Sequence, residues 1–196
     1  MRSTLLVLLL LASPATATAA PTREATSALQ QVAAFDAELH RRDSATATLQ
    51  IWCDAHGPGA GTKIVARRVR GADKLAGPAE RAALKVFAWQ SVAYRRVDLA
   101  CGDKVLSRAD NWYVPGRLTP AMNMALEQTQ TPFGVVVRPL DFRRRTLAVE
   151  TLLGSQVTSV IPRELLRHRA VLVTANGRPF SLVVETYTDK LLVTVP

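Results

Sequence analysis

No stretch of this sequence stays apolar for the roughly 20 residues that a membrane-spanning helix needs. The run Leu5–Ala12 falls far short of that length, so a retained membrane anchor is not expected. Metal-ligand spacing is missing as well. The three histidines, His40, His56 and His168, are scattered and make no HExxH-like motif, and Cys53 and Cys101 stand far apart. No metal is expected from such spacing. A phosphate loop is also absent: Gly57–Lys63 is glycine-rich but does not match GxxxxGKS/T, and no buried strand precedes it, so it reads as a turn. There is no Ser-His-Asp order, no paired acidic motif, and no repeat or low-complexity segment beyond the N-terminal one.

Acidic residues are scarce: 16 Asp and Glu face 25 Lys and Arg, for a formal net charge of +9. The arginines are dispersed, in Arg67-Arg68-Arg70, Arg95-Arg96, Arg143-Arg144-Arg145 and Arg163-Arg167-Arg169. They do not alternate with aromatic residues as in an RNA-binding strip. Nucleic acid is therefore not the expected partner, and small anions fit the balance better. For most of these arginines solubility is explanation enough, and Arg143-Arg144-Arg145 reads as a solvated turn. An envelope-facing basic patch is the sharper alternative for that triplet.

What is present begins with an export pattern. Arg2 precedes the apolar run, and Ala17-Thr18-Ala19 fits the small-x-small cleavage site of a secretory signal peptide. Residues 1–19 are read as that signal and 20–196 as one domain, located in the periplasm or secreted. In an oxidising compartment two cysteines invite a disulfide. A Cys53–Cys101 bridge would contribute about 4 kcal/mol in the chain-entropy model. Two small buried hydrophobes are the other reading.

Helical spacing runs over Thr26–His40, and Asp43 or Ser44 caps a second helix that ends before His56-Gly57-Pro58-Gly59. Pro78–Leu84 reads as a short helix, and Thr119-Pro120 opens another. Strands are expected at Lys63–Arg70, Ser91–Ala100, Lys104–Tyr113, Gly134–Leu140, Thr146–Leu153, Ala170–Thr174 and Phe180–Tyr187. Ile161–Leu166 is read as a connector. Turns at Gly102-Asp103 and Asn176-Gly177 are of hairpin type. Hairpin-length links favour an α+β fold, an antiparallel sheet with helices packed on one face.

Two charged side chains stand out on apolar strands. By the two-residue period Arg95 shares a face with Val97, Leu99 and Cys101. A guanidinium there grips a carboxylate bidentately, or snorkels to water from a sheet edge. Arg96 beside Asp98, on the other face, reads as a solvated pair. Glu185 lies among Leu182, Val183 and Val184. In such surroundings a carboxyl stays protonated and can donate a proton, unless an arginine such as Arg95 or Arg169 pairs with it.

The order Arg95-x-Val97-x-Leu99, a second strand ending in Val114-Pro115, Thr131-Pro132-Phe133-Gly134, and Arg178-Pro179 leading to Glu185 resembles the chorismate pyruvate-lyase family. Asp43-Ser44-Ala45-Thr46 matches that family's Asp-Ser-x-Thr helix start. The resemblance implies a six-stranded antiparallel sheet with helices over a closed pocket. It implies elimination of pyruvate from chorismate to give 4-hydroxybenzoate, with no metal or cofactor. Carried over by residue, Arg95 binds the substrate carboxylate, Glu185 is the acid/base, Phe133 lines the pocket wall, and Ala45 stands where the family often has Met. The family's second arginine falls on Asn111, and Arg108 points to the opposite face. The same fold also serves as the ligand-sensing domain of some transcription regulators. Export sets this chain apart from the cytoplasmic enzymes. It leaves two functions in view: a lyase for chorismate or a related cyclic carboxylate, and a non-catalytic periplasmic binder of 4-hydroxybenzoate-like carboxylates.

Overall fold

A computed structural model describes residues 22–59, 61–154 and 160–193. The signal segment 1–19 and its cleavage site lie outside the described residues. Among these, no helix is long and apolar enough to cross a membrane.

Among the described residues there are five helices and six strands. They are α1 (Arg23–Arg41), α2 (Ala45–His56), β1 (Ile64–Arg68), α3 (Pro78–Leu84), β2 (Ala93–Cys101), β3 (Lys104–Tyr113), α4 (Pro120–Gln128), α5 (Phe133–Val136), β4 (Arg143–Thr151), β5 (Glu164–Val173) and β6 (Pro179–Thr188). Hydroxyls begin three of the helices by accepting a first-turn N–H: Thr22 Oγ from Ala25, Ser44 Oγ from Ala47, and Thr119 Oγ from Met122. Proline at the first turn helps start α3 and α4.

The strands form one antiparallel sheet in the order β1-β2-β3-β6-β5-β4. The β2–β3 hairpin turns at Gly102, whose φ of +56° suits glycine. Helices α1, α2, α4 and α5 gather over the face that carries Val97, Leu99, Ala109, Tyr113 and Tyr187. Short α3 covers the reverse face, where Leu84 packs with Trp112 and Leu182. The α+β class expected from the turn lengths is the observed one.

Cys53 of α2 and Cys101 at the end of β2 are joined by a disulfide, Cα to Cα 5.8 Å. The bridge staples α2 onto the sheet and closes the choice between a disulfide and two separate hydrophobes. Two element assignments change. Gly134–Leu140 is not a strand: Pro132 starts the single turn of α5, and Arg138–Leu140 is a 3-10 turn. A short apolar run does not distinguish a strand from a buried helical turn. The connector at Ile161–Leu166 is in its second half the start of β5, where Leu165 and Leu166 are buried.

Candidate functional site

Register decides which side chains meet. Arg95 of β2 stands opposite Asn111 of β3, which stands opposite Val183 of β6, and Glu185 lies two residues further along β6, opposite Ala109. All point to the helix-covered face by alternation. Above them sit the starts of α2 and α5. Gly134 fits this contact because a Cβ would stand 3.0 Å from Ser44 Oγ and 3.2 Å from Thr46 Oγ1. Between cover and sheet lies a cavity of about 40 Å³ lined by Ala45, Arg95, Asn111, Phe133, Arg144 and Glu185, among others. The five residues carried over from the family resemblance, Ala45, Arg95, Asn111, Phe133 and Glu185, all border this one space, and Cys53 and Cys101 do not. Phe133 belongs to an aromatic wall with Tyr113, Phe142 and Phe180.

Arg95 is 2% exposed. It does not snorkel from an edge, because β2 is an interior strand flanked by β1 and β3. Its Nη atoms donate to the carbonyl oxygens of Thr131, at 3.3 and 3.4 Å, and Thr129, at 3.5 Å. The segment that leads into Thr131-Pro132-Phe133-Gly134 therefore positions the guanidinium. Among the described residues no carboxylate lies within ion-pair distance of Arg95, and its buried Nε has no hydrogen-bond partner. Burial, with Arg68 nearby, pulls its pKa down to about 10. The charge is held at a cost and is not neutralised.

Glu185 is 6% exposed. Its partner is neither Arg95 nor Arg169, whose side chain reaches Glu80 at 3.5 Å. It is Arg144, the middle residue of the triplet read as a solvated turn. Arg144 Nη2 lies 2.7 Å from Glu185 Oε2, with only 3% of the Arg144 side chain exposed. Tyr187 Oη donates to the same Glu185 oxygen at 3.2 Å. Of the two readings of Glu185, the paired one has its cation, though it comes from β4 and not from Arg95 or Arg169. Burial weakens the Arg144 charge, yet Glu185 and Tyr187 more than compensate, and its pKa is raised. Asp43 holds Arg144 in place by accepting its backbone N–H at 3.0 Å. The Asp-Ser-x-Thr helix start thus anchors the strand that delivers the second arginine.

Asn111, at the family's second arginine position, accepts from Ser181 Oγ at 2.7 Å. The cavity nonetheless has two guanidinium groups, because Arg144 enters from β4. Alternation could have found it: once β4 starts at Arg143, Arg143 and Arg145 point one way and Arg144 the other. Arg96 and Asp98 do not pair with each other. Arg96 lies 3.9 Å from Asp110 and Asp98 lies 3.9 Å from Arg108, across the β2–β3 register.

A wider apolar groove of about 340 Å³ runs between α1 and α2, lined by Phe35, Ile51 and Trp52. Neither Arg95 nor Glu185 borders it. The smaller cavity is the better candidate because buried polar groups converge there.

No protein-family model matches the chain. PhnF from Mycobacterium smegmatis superimposes with a TM-score of 0.52 at 11% identity, over 71% of this chain and 68% of that one. This likeness concerns the fold alone, and it is consistent with a chorismate lyase-like fold. The candidate transcriptional regulator YydK from Bacillus subtilis gives 0.47 at 11% identity, over 69% of this chain, which spans 63% of YydK. The ligand-binding domain of a candidate GntR-family regulator from Bordetella bronchiseptica gives 0.45 at 20% identity, over 68% and 88% of the two chains. In sequence, the protein y4mC of Sinorhizobium fredii, itself uncharacterized, is 42% identical over 181 residues, covering 84% of this chain and 76% of that protein. With that identity over that length, the chain belongs to the family of y4mC.

Proposed function

We propose that this protein is an exported binder of a small cyclic or aromatic carboxylate. The ligand sits in the cavity beneath α2 and α5, with its carboxylate on Arg95. The observation that carries this reading is a guanidinium 2% exposed with no carboxylate partner among the described residues. A bound anion would satisfy the free Nε and neutralise the charge. Arg144 does not compete for the same anion at full strength, because Glu185 already faces it. Phe133 and Phe142 offer apolar surface for a ring.

Size constrains how binding occurs. A dry cavity of about 150 Å³ accepts benzene, and this one measures about 40 Å³. A ring enters only if α5 and the start of α2 separate, with Gly134 moving off Ser44 and Thr46. Export is supported by the pattern at residues 1–19 and by the Cys53–Cys101 disulfide, which suits an oxidising compartment. The test is thermal unfolding with 4-hydroxybenzoate and related ring carboxylates. A ligand at 100 times its Kd stabilises by about 2.7 kcal/mol, and Arg95→Met should remove that shift. Failure of every such carboxylate to raise the Tm ends this reading.

A lyase is the second reading, favoured by Arg95 and Glu185 bordering one cavity. In chorismate the bond from ring carbon to enolpyruvyl oxygen would break with its electron pair going to oxygen, a ring proton would leave, driven by aromatisation, and the departing enolpyruvate would take up a proton at its methylene to become pyruvate. As a carboxylate, Glu185 suits taking that proton. Pyruvate release from chorismate that disappears in Glu185→Gln supports it; no release across neutral pH removes it.

A further inference from the structure

Two of the chain's three histidines converge on one aspartate. Asp36 and His40 lie one turn apart on α1, so their side chains share a face. His168 comes from β5, far away in sequence and fully buried. His168 Nε2 is 2.7 Å from Asp36 Oδ1, and His40 Nδ1 is 3.1 Å from the same oxygen. One ligand atom from each residue lies within 4.8 Å of the others. Around a tetrahedral zinc ion, bonds of about 2.1 Å put neighbouring ligand atoms about 3.4 Å apart. Seating such an ion widens the two contacts with Asp36, now 2.7 and 3.1 Å, toward that spacing.

Without an ion, His168 Nε2–H donates to the Asp36 carboxylate, and His40 Nδ1–H donates to the Asp36 backbone carbonyl at 2.9 Å while also facing the carboxylate. The His40 ring packs 5.3 Å from that of His168, though its side chain is 46% exposed. The buried His168 Nδ1 has no hydrogen-bond partner among the described residues. In the ion-free protein the 2.7 Å contact with the Asp36 carboxylate keeps the ring proton on Nε2; an ion bound at Nε2 moves that proton to Nδ1. Asp36 and His40 are partly exposed, which gives an ion a way in and room for water ligands. Two imidazoles and one carboxylate suit zinc, cobalt, nickel or copper better than calcium or magnesium.

We propose that Asp36, His40 and His168 bind one divalent transition-metal ion, of the zinc class, on the α1 side of β5. The spacing scan missed it because Asp-x-x-x-His is not a known signature and the third ligand is remote. This site stands independently of the carboxylate cavity. Both cysteines are locked in the disulfide, so His56 is the one histidine left as a competing ligand.

The test uses the untagged, disulfide-bonded protein. Zn²⁺ is titrated by calorimetry, and Co²⁺ is followed by its visible absorption. One equivalent should bind. His40→Ala and Asp36→Asn should each weaken binding on the order of 10- to 100-fold, with the Tm of the metal-free protein as a folding control. His56→Ala should leave binding unchanged. No saturable binding of Zn²⁺ or Co²⁺ near one equivalent overturns the proposal. So does binding that survives either substitution, or that depends on His56.

Discussion

At one end of the cavity Arg95 holds its charge among carbonyl oxygens, with no carboxylate within reach among the described residues. At the other, Arg144 holds an equally buried charge 2.7 Å from Glu185. Both guanidinium groups come from strands of one sheet and face one space. Their energetics differ in kind. The Arg144–Glu185 pair is self-compensating, so its removal in halves is costly. Arg95 carries an uncompensated charge, so the fold gains little from it and a ligand gains much. In the proposed site the Arg144–Glu185 end is closed and structural, and the Arg95 end is the one left for an anion.

The largest effect that tests this contrast is on stability. Arg144→Met leaves Glu185 buried without its cation, which should cost about 3–5 kcal/mol. Adding Glu185→Gln to it removes the stranded charge while keeping an acceptor for Tyr187, and should recover much of that loss. Denaturant unfolding of the two single variants and the double variant gives the coupling directly. If the single variants cost no more than the double, the pair is not the structural end of the cavity.

How much of this was legible beforehand follows the same division. Arg95 could be read because its strand alternates cleanly, with Val97 and Leu99 on its face. The helix caps at Ser44 and Thr119 could be read because capping is local. Arg144 is not legible, because a triplet of arginines looks solvated and the strand pattern begins only at Thr146, three residues into β4. The partner of Glu185 is a long-range fact: β4 meets β6 only across β5. Asp36 meeting His168 is of the same kind. Period and propensity describe one element at a time, and the sheet order that brings these groups together is set by tertiary packing.

An intermediate effect concerns pH at the paired end. His168 lies opposite Glu185 in the β5–β6 register and is fully buried. Around it stand Arg144 from β4, Glu185 and Tyr187 from β6, and Asp36 and His40 from α1. Burial first, then Arg144, lowers its pKa below the ordinary 6.5, against the opposing pull of Asp36 and Glu185. The unfolded chain therefore takes up this proton at a higher pH than the folded one. Stability is complete above about pH 6.5 and falls as the pH drops towards the folded pKa, by at most about 1.4 kcal/mol per pH unit. Tm measured from pH 7.5 to 5.5 should decline, and His168→Gln should flatten that decline. An equal decline in the variant assigns it to other groups.

The smallest effect belongs to Arg95 itself, and its smallness is the point. Arg95→Met removes a charge that burial disfavours and replaces it with a flexible apolar chain of similar length. The carbonyls of Thr129 and Thr131 lose a donor, which offsets part of the gain. The ligand-free protein should change by less than about 1 kcal/mol in either direction, as replacement of a poorly compensated buried charge by a hydrophobe often does. The measurement is the same denaturant unfolding used for Arg144→Met. A loss as large as at Arg144 would mean that Arg95 clamps the Thr129–Thr131 segment as part of the fold, and the unpaired charge would no longer argue for a ligand. A change near zero, beside a large one at Arg144, separates the end of the cavity built for stability from the end built for an anion.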